Sequence, residues 1–382
     1  MIIRGLCTAQ RRRHPSDRQE TAMAAKRSVI PFGPQHPVLP EPIHIDLVTE
    51  DEKVVEAIPS IGFVHRGLEQ LVTKKDFGEM VYVAERICGI CSFGHGYGYV
   101  KTIEHIMGIE PTDRARYIRT MLFELSRMHS HILWLGLMAD AFGFESLFME
   151  TWKIREKILD MLEAATGGRV IFSIMRIGGL RKDVPDDVMK GFLPELDKVV
   201  EGIKACEAAF LSDPAVLGRL KGVGYISKED AIALGCEGPF LRASGVEHDN
   251  RMRGYAAYGD MDFKIITSDE GDSYGRCYVR IHEIYESASI VRQCIEKMPQ
   301  EGIYVPIKGF PNGEHMTVIE QPRGGACYYV HASGKKFIER MRVRTPTFAN
   351  IPALAKTLQG CDVADVPILV VTIDPCISCT ER

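Results

Sequence analysis

Near the N-terminus of the chain, hydrophobic and polar residues alternate with a period of two. The segment IHIDLVTE, residues 43–50, has this alternation, and DEKVVEAIP, residues 51–59, follows as a second extended segment. Prolines punctuate the sequence on both sides. Because successive side chains of a strand point to opposite faces, the pattern predicts a β-hairpin within residues 30–61.

From residue 68 to about residue 211 the period becomes that of an α-helix. Apolar positions recur every three or four residues for about eight turns in the segment 113–144, which follows the helix-start signal PTD. Two further helical segments lie at 147–168, which stops on paired glycines, and at 186–213. Three long helices in succession predict a helical bundle.

After residue 214 the apolar segments become shorter and richer in Gly, Tyr and Ser. A helix is predicted at about 278–297, and residues 317–348 alternate like a hairpin with a glycine-containing turn. The apolar run VPILVVTI, residues 366–373, has the length of a strand. We therefore predict an α+β fold, in which a central bundle of long helices is flanked by small β-hairpin parts.

The chain has no low-complexity linker that would divide it, so we expect one domain over residues 29–382. Its β-rich part, helical bundle and mixed α/β part are expected at 29–67, 68–213 and 214–382. Residues 1–28 are polar and basic without a sustained period, which is typical of a disordered tail. A start of translation at Met23 would instead make the preceding residues a misassigned extension.

Composition and charge exclude several classes of protein. A net charge of -4 gives no electrostatic reason to expect a nucleic-acid partner. The longest apolar runs are far shorter than the roughly 18 residues that cross a bilayer, so we expect any membrane association to come through partners. Eleven cysteines in 382 residues are too few for a disulfide scaffold, which favours a reducing compartment.

Four of the cysteines form two C-x-x-C pairs at opposite ends of the chain, Cys88 with Cys91 and Cys376 with Cys379. Such spacing lets a tight turn present two sulfurs to one metal. Four thiolates can hold a structural zinc ion, an iron–sulfur cluster or another thiolate-rich metal centre. Structural zinc modules have closely spaced pairs, whereas residues 92–375 separate these two. A metal here would join the two ends of the domain.

The residues around the first pair favour a thiolate site. A helical run from about His95 to Met107 follows the pair, so the sulfurs are expected near a helix N-terminus, where thiolate is favoured over thiol. Neighbouring glycines allow the backbone to approach a bulky centre. His95 could orient a sulfur by hydrogen bonding, or it could be an ordinary core histidine.

The motifs RICGICSFGH and DPCISCTER resemble the two ligand motifs of the large subunit of nickel–iron hydrogenases. Residue 382 is an arginine, where uptake enzymes have a histidine. In this respect the chain resembles the membrane-bound, energy-converting group. PFGPQHPVLPEP, GFVHRGLEQL and MRIGGLRKDVPDD resemble both that group and the quinone-site subunit of respiratory complex I. The resemblance covers about residues 29–382 and implies the fold of the hydrogenase large subunit.

The resemblance implies a ligand set for a nickel–iron centre with carbon monoxide and cyanide on the iron. Cys88 and Cys376 would be terminal ligands to nickel, and Cys91 and Cys379 would bridge nickel and iron. Arg323, in EQPRGG, would contact a cyanide or act as a base, unless it is a surface arginine of the hairpin. Thr372 would contact the other cyanide.

The reaction implied by the resemblance is reversible heterolysis of dihydrogen. Glu41, in LPEPIHIDL, would be the first proton carrier, and the alternative is a solvated loop glutamate. Asp140 could couple charge movement to a membrane arm, or it could be a solvated residue near a helix end. Glu69 could help to hold a further Mg²⁺ or Fe²⁺ ion near the C-terminus, although Arg382 cannot be a ligand.

The resemblance also implies partners, because the chain has no third cysteine cluster for electron transfer. These are a small subunit with a [4Fe–4S] cluster, a ferredoxin-like subunit, integral-membrane subunits that translocate ions, and soluble reduced ferredoxin as electron donor. His65 and Arg66 would face the cluster, with helix capping as the alternative for Arg66. The chain would lie peripherally on the cytoplasmic side of the membrane.

Two other functions remain open on the sequence. The quinone-site subunit of complex I carries a second histidine where this chain has Pro40, and it lacks the cysteine pairs. Both departures favour the hydrogenase. A structural or assembly protein with zinc in the four sulfurs is the other alternative.

Overall fold

The computed structural model describes residues 27–382. The strands are β1 Arg27–Phe32, β2 His44–Glu50, β3 Lys53–Ser60, β4 Met175–Arg176, β5 Gly179–Leu180, β6 Asn312–Gln321, β7 Gly324–Ser333 and β8 Arg340–Arg344. The α-helices are α1 Met80–Glu85, α2 Ser92–Met107, α3 Asp113–Ala141, α4 Glu145–Thr166, α5 Asp186–Leu211, α6 Pro214–Leu220, α7 Lys228–Ala233, α8 Gly238–Arg242, α9 Ser273–Glu296, α10 Pro346–Leu358, α11 Val366–Thr372 and α12 Ile377–Glu381. The predicted α+β fold with a central helical bundle is confirmed.

The N-terminal sheet has three antiparallel strands in the order β1-β2-β3. The predicted hairpin corresponds to β2 and β3, and its alternation buries Ile45 and Leu47 on one face. Strand β1 begins at Arg27, so residues 27 and 28, expected in the tail, belong to the sheet. The rest of the predicted tail, including Met23, lies outside the described residues.

Helix α3 is the centre of the molecule, because α4, α9 and α11 all pack against it. Thr112 caps its start by accepting a hydrogen bond from the backbone N–H of Ala115. Almost every face of α3 is buried. Charged side chains on these faces are paired, for example Glu124 with Arg127 and Arg119 with Glu104.

The run VPILVVTI, which has the length of a strand, is helical and forms α11. A short run that is apolar at almost every position fits a buried helix as well as a buried strand, so its length alone did not decide its structure. Pro367 in the first turn favours the helix start, since a proline has no N–H to leave unpaired there. Helix α9 also begins earlier than predicted, at Ser273, because Asp272 caps it.

The C-terminal sheet has the order β6-β7-β8, and α2 packs against β6 and β7. Only Pro322 and Arg323 connect β6 to β7, as expected for a hairpin. This turn lies beside the start of α2 and therefore beside the first cysteine pair. In residues 27–382, no helix combines the length and the apolar character that crossing a membrane requires.

Candidate metal centre

The four cysteines of the two C-x-x-C pairs lie together in the interior, with their sulfurs all within 4.8 Å of one another. Cys88 Sγ is 3.2 Å from Cys376 Sγ, Cys91 Sγ is 3.3 Å from Cys379 Sγ, and Cys376 Sγ is 3.0 Å from Cys379 Sγ. Each side chain is at most 3% exposed. The two ends of the domain therefore meet at one cluster of sulfur atoms.

Each cysteine pair lies at the start of a helix, where the local backbone positions its sulfurs. Cys88 Sγ accepts hydrogen bonds from the N–H groups of Ile90 and Cys91, at 3.3 and 3.5 Å, and Cys91 is the cap of α2. Cys376 is the cap of α12, and its N–H donates to Thr347 Oγ1 at 3.2 Å. Backbone donors aimed at sulfur favour the thiolate form.

The clustered cysteines differ in how readily they lose the thiol proton. Hydrogen bonds from Cys376, Cys379 and Cys88 lower the pKa of Cys91 well below its usual value, whereas burial raises the pKa of Cys379. Four thiolates would carry more negative charge than the single positive charge of Arg323 balances. A bound metal replaces the thiol protons, so the donor set fits soft metals such as nickel, iron or zinc.

Arg323 is buried at the centre, at 6% exposure, so the alternative of a surface arginine is wrong. Its Nη2 lies 2.7 Å from Asp374 Oδ1, and its Nε donates to the Asp374 carbonyl at 2.9 Å. Ser130 Oγ accepts from Nη1 at 3.3 Å. Although burial lowers it, the pKa of Arg323 stays well above its usual value because of Asp374 and the cysteines. Arg323 is therefore a fixed cation beside the sulfurs.

A small cavity of about 10 Å³ adjoins the sulfurs, which is about the volume that one water-sized molecule needs. Its lining is Cys91, His95, Gln321, Pro322, Arg323, Thr345, Pro346, Thr347 and Cys379. Gln321, Thr345 and Thr347 were not predicted from the sequence. The run RTPTF, at the junction of β8 and α10, was the available signal for the two threonines, since hydroxyl residues beside a proline are typical of a helix start.

His95 is buried and contacts the cluster directly. Its Nε2 lies 3.2 Å from Cys379 Sγ, and its Nδ1 lies 2.8 Å from Tyr328 Oη. The structure therefore places His95 where the sequence suggested, beside a sulfur. Tyr328, on β7, was not predicted.

Glu41 reaches the cluster from the N-terminal loop. Its carboxylate accepts hydrogen bonds from Ser378 N at 2.7 Å and from Ser378 Oγ at 3.2 Å, and Cys376 Sγ is 3.8 Å from Oε1. Burial raises the pKa of Glu41 despite these donors. On its other side Glu41 lines a surface cavity of about 460 Å³, formed with residues 34–42. The carboxyl thus lies between a sulfur and the surface.

Thr372 and Asp140 do not line the small cavity beside the sulfurs. Thr372 is buried, but its hydroxyl donates to the Leu369 carbonyl at 2.8 Å and accepts from Arg276 at 3.1 Å, and it does not line the cavity. Asp140 is exposed near the end of α3. The roles suggested for both residues stay predictions.

The described residues do not fit a second metal ion at Glu69. Its carboxylate accepts from Arg382 Nε at 2.8 Å, from the Val343 N–H at 2.8 Å and from Arg342 Nη1 at 2.5 Å. Although burial opposes it, these donors lower the pKa of Glu69. Within residues 27–382, the four cysteines are the only group of three or more potential ligands placed to hold a metal.

His65 and Arg66 connect the loop before α1 to both cysteine segments. His65 Nδ1 contacts the Glu381 carbonyl. Arg66 donates to the carbonyls of Arg86, Ile87 and Ser378, at 2.9, 2.7 and 3.3 Å. Arg86 is the C-terminal cap residue of α1, so Arg66 does bind the end of the helix that follows it, as the capping alternative expects. These contacts hold the two cysteine segments side by side.

Comparison with known proteins gives two family matches. The family described as respiratory-chain NADH dehydrogenase, 49 Kd subunit, matches residues 141–308 and 307–382. The family described as nickel-dependent hydrogenase matches residues 66–139. The first match contains the second cysteine pair, and the second match contains the first pair.

Three similar proteins are matched over most of their length. The membrane-bound hydrogenase subunit alpha of Pyrococcus furiosus is 35% identical, over 92% of this chain and 87% of the relative. The carbon monoxide-induced hydrogenase of Rhodospirillum rubrum is 36% identical, over 92% of this chain and 99% of the relative. One subunit of the F(420)H(2) dehydrogenase of Methanosarcina mazei is 34% identical, over 95% of this chain and 100% of the relative.

Proposed function

This chain belongs to the family that joins nickel-dependent hydrogenases and the 49 kDa subunit of respiratory-chain NADH dehydrogenase, and on that premise we propose that it is the catalytic subunit of a nickel–iron hydrogenase. The enzyme reversibly evolves dihydrogen from protons. The single observation that carries the proposal is the convergence of four buried sulfurs from the two ends of the chain.

The cysteines divide into the roles that the sequence resemblance implied. Cys88 and Cys376 would hold nickel, and Cys91 and Cys379 would bridge nickel to an iron that carries carbon monoxide and cyanide. When bound, this centre supplies the Lewis acidity that polarises dihydrogen and the redox capacity for two electrons. Arg323 would contact a cyanide, and Thr372 is proposed for the other.

The chain's own residues hold and move the proton. Glu41 Oε1 lies within 3.8 Å of Cys376 Sγ, so a proton on that sulfur has an acceptor nearby. Ser378 fixes the carboxylate through two hydrogen bonds. The raised pKa of Glu41 brings it closer to the working range of a proton carrier. From Glu41 the proton reaches the surface cavity formed by the loop of residues 34–42.

Arg323 supplies a fixed positive charge beside the sulfurs, and the small adjoining cavity suits a small substrate. The guanidinium cannot rotate freely, because Asp374 and Ser130 hold it on three of its nitrogens. A fixed cation beside thiolates stabilises charge without reorganisation during the reaction. The adjoining cavity of about 10 Å³ has room for about one water-sized molecule, which suits a substrate as small as dihydrogen.

Electrons reach the centre through a partner. The described residues contain no second cluster of metal-ligating side chains, so an iron–sulfur relay has to come from another chain. We assign this role to a small subunit with a [4Fe–4S] cluster, docked near His65 and Arg66. A ferredoxin-like subunit would pass electrons from soluble reduced ferredoxin, and ion-translocating membrane subunits would hold the assembly on the cytoplasmic side of the membrane. The relative named as a subunit of a membrane-bound hydrogenase supports this assembly.

The alternative is a quinone-site subunit, which the match to the 49 Kd family supports. Against it stand the four clustered cysteines and Pro40 at the position of the quinone-site histidine. A zinc-holding structural subunit is the second alternative, since the sulfurs alone do not select the metal.

Infrared spectroscopy and elemental analysis of the purified complex test the proposal. We expect nickel and iron in equal amounts and bands from carbon monoxide and cyanide. Zinc alone would overturn the proposal in favour of the structural subunit, and a metal-free chain in a complex that reduces quinone would overturn it in favour of the quinone-site subunit.

A cysteine substitution tests the ligand assignment. Cys379→Ser should abolish hydrogen evolution and lower the nickel content, because a hydroxyl is a poor bridging ligand for soft metals. Cys361→Ser is the matched control, since Cys361 lies outside the cluster and should retain activity. Wild-type activity in Cys379→Ser would refute the assignment.

A further inference from the structure

A line of buried hydrogen bonds leads from the C-terminal sheet to the sulfur cluster. Gln321 Nε2 donates to Tyr328 Oη at 3.0 Å, Tyr328 Oη lies 2.8 Å from His95 Nδ1, and His95 Nε2 lies 3.2 Å from Cys379 Sγ. All four side chains are at most 3% exposed. These groups are therefore shielded from bulk water.

The donors and acceptors in this line fix its direction. A phenol has one proton, and burial raises the pKa of Tyr328 well above its usual value, so the hydroxyl keeps that proton. The amide of Gln321 already donates to the phenol oxygen, which leaves the phenol proton to be donated to His95 Nδ1. A proton on Nδ1 would instead leave the buried Tyr328 hydroxyl without an acceptor, which is unfavourable.

We propose that Tyr328 is a positioning residue that holds His95 as the Nε2–H tautomer, so that the imidazole donates to Cys379, and that Gln321 sets the direction of the line. The other tautomer would place a lone pair of Nε2 against the sulfur. The inference rests on the proposed function, in which Cys379 bridges the two metals. A hydrogen bond to a bridging thiolate withdraws electron density from the centre.

Two glycines near the start of α2 leave room for the side chains of Gln321 and Tyr328. A Cβ at Gly94 would lie 2.3 Å from Gln321 Oε1, and a Cβ at Gly98 would lie 2.3 Å from the Tyr328 ring. Gly94 and Gly98 are one helical turn apart and flank His95, so the two glycines open one face of the helix to Gln321 and Tyr328. The close approach of the hairpin β6–β7 to α2 therefore depends on the absence of two side chains.

The first experiment compares Tyr328→Phe with the wild type in the purified complex. We expect the carbon monoxide and cyanide bands to move to lower frequency and the potential of the centre to become more negative, at unchanged nickel and iron content. Hydrogen evolution should fall about tenfold, as for other partners of metal ligands. Tyr329→Phe is the matched control, because it removes the same hydroxyl from the next residue of β7, where Tyr329 contacts Glu314 at the surface.

The second experiment measures the tautomer directly and does not require the nickel–iron centre. In the full chain labelled with ¹⁵N-histidine, the His95 signals, identified by their loss in His95→Gln, should show the Nε2–H form. In Tyr328→Phe the signals should show a mixture of the two tautomers. In Gln321→Met the Nδ1–H population should also rise, but by less than in Tyr328→Phe. If Tyr328→Phe fails to fold, Gln321→Met still tests the inference, because methionine has a side chain of similar size to glutamine.

The outcomes separate this inference from the proposed function. Absent carbon monoxide and cyanide bands in the wild type would overturn the proposed function and leave the tautomer measurement as the test. An Nδ1–H form in the wild type, or a tautomer unchanged by both substitutions, would overturn the role of Tyr328. Unshifted bands in a fully loaded Tyr328→Phe complex would overturn its effect on the centre.

Discussion

One carboxyl group, Glu41, lies between the sulfur cluster and the surface, and the proton path therefore depends on its ability to titrate. The Ser378 N–H donates to Oε2 and the Ser378 hydroxyl donates to Oε1. In glutamine the amide oxygen can accept from the N–H, and the amide NH2 can donate to the hydroxyl oxygen. Glu41→Gln should therefore preserve the local structure and the metal content while it removes the proton carrier.

We expect Glu41→Gln to lower hydrogen evolution by about 10²–10⁴-fold, the usual contribution of a positioned acid–base group. The rate is measured in the purified complex, with metal analysis alongside. Glu56→Gln, at an exposed position of β3, is the control and should have no effect. Full activity in Glu41→Gln would show that protons leave by another route.

A second buried carboxyl, Glu85, predicts how stability changes with pH. Burial raises the pKa of Glu85 from 4.5 to about 7, and Ser173 is its hydroxyl partner. Because the folded state holds the proton more tightly, the contribution of this group to stability is fully present below pH 4.5. It is lost as the pH rises through about 7.

Compared with Glu85→Gln, the wild-type chain should therefore lose stability between about pH 4.5 and pH 7, by on the order of 3 kcal/mol. Urea unfolding of both chains across this range measures the difference. A difference that is independent of pH, or that grows in favour of the wild type, would contradict the assignment.

The sequence predicted the chemical roles of some site residues and not of others. The cysteines and His95 stand in short motifs with ligand spacing, so their chemistry was readable before their positions were known. Tyr328 and Thr347 lie in a strand and at a helix start without any such motif. Their relevance depends on contacts with residues far along the chain, and local pattern does not encode these contacts.

At the scale of elements, α2 depends on its glycines for packing rather than for flexibility. In an ordinary helix, Gly→Ala stabilises by about 0.5–1 kcal/mol. At Gly98 a new Cβ would meet the Tyr328 ring at 2.3 Å, and a ring packed in the interior cannot move aside at low cost.

Gly98→Ala should therefore destabilise the chain by about 1–3 kcal/mol, the usual range for overpacking. Gly191→Ala in α5 is the matched control, because its Cβ would meet no atom within 4 Å, and it should stabilise by up to about 1 kcal/mol. Denaturant unfolding of the two variants gives both values. The same sign of effect at both positions would refute the packing argument.

Elements with a long, regular period were predictable, and short ones were not. The helical period identified α3, α4 and α5, and alternation identified β2, β3, β6 and β7. The short helices α6, α7 and α8 have too few turns to show a period, and α11 is apolar at almost every position. For such segments tertiary packing decides the structure.

At the scale of the whole molecule, a buried charge cluster ties the helical core to the loops around it. Arg251 pairs with Asp249 at 2.7 Å and with Glu124 at 3.1 Å, and all three side chains are at most 1% exposed. Arg242 pairs likewise with Glu283 and Glu320. Removing one member leaves charges in the interior without a partner.

We expect Arg251→Met to destabilise the chain by about 3–5 kcal/mol, because Asp249 and Glu124 lose their cation. Arg169→Met removes an arginine that contacts three exposed carboxylates, and it should cost less than about 1 kcal/mol. Urea unfolding in parallel compares the two. Equal costs would show that burial does not set the value of these pairs.

Long-range contacts were the least predictable part of the molecule. Glu41 meets Ser378, and Arg66 meets the same segment, across more than 300 positions of sequence. Spacing and periodicity carry no information on such pairs. Only the metal-binding chemistry of the two C-x-x-C pairs, and the resemblance of both end motifs to one family, suggested that the ends converge.

The distance along the chain between the two cysteine pairs also constrains how the protein is made. Cys376 follows Cys88 by 288 positions, so a ribosome exposes the second half of the ligand set long after the first. Until then the early pair is an incomplete chelator. In the proposed function, a centre held by all four sulfurs can be completed only after the late segment has been made, and the bound metals would then keep the two ends of the polypeptide from separating.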